Sequence, residues 1–62
     1  LNINPETVLI VKNNELINVG KFCSHINTTK YKIVVIQENN LKVIINIFKL
    51  SKMELISTTK LN

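Results

Sequence analysis

The chain contains no alanine, arginine, aspartate or tryptophan, and only one each of glycine, proline, cysteine, methionine and histidine. A lone cysteine, Cys23, excludes an intramolecular disulfide framework. A chain of 62 residues therefore relies on its apolar core alone, and such cores are small. One free thiol also fits a reducing compartment, so a cytoplasmic location is expected. The absence of arginine removes the side chain that reads phosphate and guanine in bidentate fashion. Long apolar runs are missing as well. The longest are the four-residue stretches Val8–Val11 and Ile33–Ile36, against the roughly 20 apolar residues of a membrane-spanning helix. No basic amino-terminal region followed by an apolar run marks a signal peptide.

What is present is isoleucine, asparagine and lysine, in ten, ten and eight copies. An AT-rich coding sequence favours all three, and the net charge of +4 follows largely from that bias. The apolar share of 45% is enough for a packed core and argues against disorder. The expectation is one small domain spanning 1–62, mainly β.

The segment Asn4–Ile17 is the most legible. Pro5 sets a turn and bars a helix from running back through it. Thr7–Val11 is a β-branched, apolar run of strand length. Asn13-Asn14 supplies two residues that tolerate left-handed backbone angles, as a two-residue hairpin turn requires. Glu15, Leu16, Ile17 and Val19 form the return strand. The hairpin is thus predicted over 7–19. Because Thr7–Val11 is apolar on both faces, it is expected at the centre of a sheet.

Gly20–Lys30 reads as an eleven-residue connection, with Phe22 and Ile26 tucked beneath it. A strand is predicted near 31–37, then a turn at Glu38-Asn39-Asn40. The stretch 41–50 fits two periods. As a strand, Val43, Ile45 and Ile47 face one way and Ile44, Asn46 and Phe48 the other. As a helix, Lys42, Asn46 and Lys49 form a polar stripe. The β-branched content and the lack of alanine favour the strand. Met53–Thr59 is a candidate last strand.

The residues Leu1–Ile17, LNINPETVLIVKNNELI, resemble the middle of ThiS/MoaD-type sulfur carriers, especially the archaeal ubiquitin-like ones. In that family an "NPETV" turn leads into a strand, a tight turn and a return strand. Tyr31–Ile36 is similar to the family's last strand. The resemblance implies a partial β-grasp sheet of α+β ancestry, with residues 1–36 as the related part and 41–62 as a divergent extension. That extension is expected to cover the sheet or pair with its edge. The family's chemistry resides in a C-terminal Gly-Gly that an adenylating enzyme activates. Here the one glycine is Gly20 and the chain ends Lys60-Leu61-Asn62. The implied role is that of a truncated or diverged member, a protein-interaction module and not an active carrier, with an adenylating enzyme as partner.

Other chemistry is sparse. Cys23-Ser24-His25 places a thiol near an imidazole, yet a metal site needs three or four ligands and a catalytic pair an orienting group. Glu6, Glu15, Glu38 and Glu54 have no spacing that suggests acid–base work. Asn27-Thr28-Thr29 matches the glycosylation pattern, as chance allows in so asparagine-rich a chain. No catalytic, cofactor-binding or metal-ligating residue is assigned; no cofactor and no enzymatic activity are expected. Lysines at 12, 21, 30, 32, 42, 49 and 52, with Phe22, Tyr31 and Phe48, leave open a small basic module that binds nucleic acid non-specifically. A gene fragment without function is the third reading. Self-association through open sheet edges is expected in any of these cases.

Overall fold

The computed structural model describes residues 6–62. Five strands follow one another: β1 (Thr7–Lys12), β2 (Glu15–Asn27), β3 (Tyr31–Asn39), β4 (Lys42–Lys49) and β5 (Glu54–Leu61). They form one sheet in the order β1-β2-β3-β4-β5, and every neighbouring pair is antiparallel. There is no helix among the described residues. The expectation of a mainly β protein holds, and the 41–50 stretch is a strand. The turn read at Asn4-Pro5 lies outside the described residues.

The first hairpin forms as its turn chemistry dictates. Asn13 (φ 53°) and Asn14 (φ 65°) both occupy the left-handed region, the geometry whose twist matches the flanking strands. Two other features depart from the sequence reading. First, β1 is an edge strand, not a central one. Its inward residue Ile10 is buried, but Leu9 and Val11 are 47% and 50% exposed. The central positions go to β3 and β4, which are just as apolar on both faces and lie between neighbours on both sides. Second, Gly20–Asn27 is strand, and only residues 28–30 remain as a turn. The backbone of β3 needs a partner along its whole length. The second half of β2 provides it, with Phe22 opposite Ile36 and Ile26 opposite Ile33.

Residues directly opposite in antiparallel strands share a face. The register therefore lines Phe22, Ile36, Ile44 and Lys60 on one side, together with His25, Val34, Asn46 and Thr58. Ile10 and Asn18 share that side in the first hairpin. This side becomes the interior because β2 is long and bends. Its register slips opposite Ile10/Val11 and again between Phe22 and Ser24, and such bulges sharpen bend and twist. The β1–β2 hairpin folds over the inner side of β3–β5, and Lys12 comes to line a groove with Leu55 and Thr58. The enclosed core is Ile10, Val34, Ile36, Ile44 and Leu55, with Val8 and Phe48 packed against it.

Two asparagines join the layers. Asn18 Nδ2 donates to Asn46 Oδ1 at 2.8 Å, and Asn46 Nδ2 donates back to Asn18 Oδ1 at 3.3 Å. Thr58 Oγ1 also donates to Asn46 Oδ1 at 3.0 Å, and Asn46 Nδ2 reaches the Val34 carbonyl at 3.5 Å. Asn46 is wholly buried. No buried side-chain nitrogen or oxygen among the described residues lacks a partner. At the bend, Gly20 lies against β3. A Cβ there would stand 2.6 Å from the Gln37 carbonyl oxygen. The β4–β5 turn ends at Met53, with φ of 48°, a region that a side chain with a Cβ adopts at a cost.

Three stability effects follow, all read from urea denaturation midpoints. Gly20→Ala is expected to cost ~1–3 kcal/mol, because the clash is with backbone and cannot be relieved by a rotamer. Met53→Gly is expected to raise stability by up to ~1 kcal/mol by relieving the left-handed turn residue. Asn46→Ala should cost at least ~1–3 kcal/mol, since it strands the Asn18 amide in the interior. In a double-mutant cycle, Asn18→Ala and Asn46→Ala should then show a coupling of about 1 kcal/mol or more.

Candidate functional site

Cys23 and His25 do not form a pair. Cys23 is the unpaired residue of the second β2 irregularity and is exposed. Its thiol lies 3.7 Å from the Lys21 carbonyl, a weak contact. His25 instead packs near Phe22, with ring centroids 5.9 Å apart. No group of three or more His, Cys, Asp or Glu able to hold a metal exists among the described residues. Asn27-Thr28-Thr29 lies where β2 enters the β2–β3 turn. Thr28 organises that turn, accepting hydrogen bonds on Oγ1 from the amides of Tyr31 (3.0 Å) and Lys30 (3.4 Å).

The carboxylates are dispersed. Glu15 follows the first turn, Glu54 opens β5, and Glu38 meets Lys60 at 3.8 Å across the surface. An exposed pair of this kind contributes little to stability. The lysines are equally scattered. Lys21 and Lys49 are on the outer side of the sheet, Lys30 and Lys52 are in turns, and Lys32 and Lys60 share the inner side's rim. No continuous basic stripe results. A cleft of about 410 Å³ lies between the first turn and the β4–β5 turn, with Lys12, Asn13, Lys52 and Glu54 on its walls. It brings opposite charges together without a nucleophile or a base–orienter pair.

The unusual feature is apolar. An antiparallel sheet normally buries one face and solvates the other. Here the outer side is apolar too. On the hairpin it carries Leu9, Val11, Leu16 and Val19, all exposed. On β3 and β4 it carries Ile33, Val35, Val43, Ile45 and Ile47, each half-buried by its neighbours. The sequence showed the two-faced apolar strands. It did not show which of the faces would be left outside, since that choice depends on how β2 bends. No helix among the described residues is long and apolar enough to cross a membrane. Comparison with models of known families, with curated proteins and with solved structures finds no match to any of them.

Proposed function

We propose that the chain is a non-catalytic protein-interaction module, a diverged relative of ThiS/MoaD-type sulfur carriers, and that its first hairpin docks on an adenylating enzyme. The observation that carries this reading is the outward face of that hairpin. Leu9, Val11, Leu16 and Val19 lie side by side across β1 and β2 and are 38–58% exposed. The same residues fall in or beside the segment Leu1–Ile17 that resembles the carriers. A small apolar patch on a short, tightly turned hairpin suits a groove on a larger partner, where a few apolar anchors supply most of the binding energy. The scattered lysines do not favour nucleic acid, which requires a basic track along the backbone.

The test is a binding titration of the purified protein against an adenylating enzyme of the sulfur-carrier class. Saturable binding that changes little between about 50 and 200 mM salt is expected. Leu9→Lys should weaken it by about tenfold or more, because the substitution places a charge where the partner's apolar groove would be. No binding by the native protein overturns the adenylating-enzyme reading. Steeply salt-dependent binding to single-stranded RNA or DNA in its place would establish the nucleic-acid alternative.

A further inference from the structure

We infer that the outer face of β2–β5 pairs with the same face of a second copy of this chain, the strands of the two copies crossing near a right angle. The register lays this face out as a grid of four strands. One row reads Lys21, Gln37, Val43, Leu61; the next reads Ser24, Val35, Ile45, Thr59. The third reads Ile26, Ile33, Ile47, Ser57, and the last ends in Tyr31, Lys49, Glu54. The centre is wholly apolar and the charges stand at the edge, which is the anatomy of an interface core and rim. With strands about 4.8 Å apart and rows about 6.7 Å apart, the grid is longer along the strands than across them, so a diagonal axis superposes its central residues closely and brings its corner residues only within side-chain reach.

Charge and symmetry select the occupant. A two-fold pairing is isologous, so residues on the axis meet their own copies. Of the two diagonals, one joins Lys21 to Glu54 at opposite corners. An axis along it would set lysine on lysine and glutamate on glutamate. The other diagonal runs from Leu61 through Ile45 to Ile33 and carries no charge. An axis along it packs these three residues on themselves. It sets Val35 over the other copy's Ile47, Ile26 over its Tyr31, and Lys21 over its Glu54. Gln37 then meets Ser57, and Lys49 meets Ser24. Val43 meets Thr59, whose methyl group can face it; the other apolar groups meet apolar groups, and each charge finds an opposite charge or a hydroxyl. The crossing that results is the orthogonal mode of sheet packing. Area permits it as well. Four strands ~4.8 Å apart and about eight residues long make a face of roughly 500 Å² before side-chain relief is counted, the same order as the ~800 Å² that each partner contributes to a stable complex. The pairing uses the sheet's face, not its edges, and a surface separate from the hairpin face proposed to bind the enzyme.

Sedimentation equilibrium over a concentration series tests this on the intact chain. The native protein should approach twice its 7.1 kDa monomer mass. Ile45→Lys, which sets two like charges together on the axis, should give a monomer whose far-ultraviolet circular dichroism remains that of a β protein. Lys21→Glu should raise the dimer Kd by about tenfold or more, and Lys21→Glu with Glu54→Lys should restore it, since the pair is merely reversed. Leu9→Lys should leave the dimer intact, which separates this surface from the hairpin face. A native protein that stays monomeric overturns the inference. So does a dimer that survives Ile45→Lys, which would be held by sheet edges, and so does a charge-reversed double variant no tighter than Lys21→Glu alone.

Discussion

The hydrogen-bonded pair of Asn18 and Asn46 holds the two layers of the sheet in one alignment. Apolar contacts between the hairpin and β3–β5 supply most of the driving force, but they are non-directional and tolerate sliding. Two carboxamides that exchange both donors and acceptors tolerate very little. A shift of the hairpin by one residue would carry Asn18 to the outer side and leave Asn46 unpaired in the core. The cost of burying these groups is accepted because each amide is matched, with Thr58 and the Val34 carbonyl completing the set.

The bend that brings the asparagines together depends on backbone more than on side chains. β2 is thirteen residues long and belongs to both layers. It pairs with β1 over Glu15–Lys21 and with β3 over Lys21–Asn27, so the layers share a continuous strand. Gly20 stands at the junction, where the strand comes too close to Gln37 for any Cβ. Close approach, bulge and asparagine pair are parts of one arrangement. The approach sets the bend, the bend sets the layer crossing, and the crossing sets which polar groups meet.

The interior this arrangement encloses is small. Among the described residues five buried apolar side chains form it, and a domain of this size has little stability to spare. Val8 and Phe48 pack against this interior, and many of the other described apolar side chains lie on the outer side. Burial of the outer face against a second copy would add to the folded state what the short chain cannot supply from its own core.

Much of the strand content was legible in the residues. The β-branched runs at 7–11, 31–36 and 43–47 form strands because they have strand length and are dominated by Val, Ile and Thr. The Asn13-Asn14 turn forms because both residues accept left-handed angles. The division of β4 into Val43, Ile45, Ile47 on one side and Ile44, Asn46, Phe48 on the other also follows from the period alone. Local pattern could not say which side is inside. Apolar content favours the side without asparagine, yet the structure buries the side that contains it, because Asn18 waits across the fold, 28 residues away in sequence. The glycine inside the Glu15–Asn27 run was a signal of close backbone approach, but next to Ser24 and Asn27 it reads equally as the start of a loop. Period and turn chemistry act over neighbouring residues, and so the sequence by itself determined the strands and the tight turn. Long-range pairing decided the length of β2, the edge position of β1 and the choice of buried face, since each depends on groups that meet only once the sheet has folded over itself.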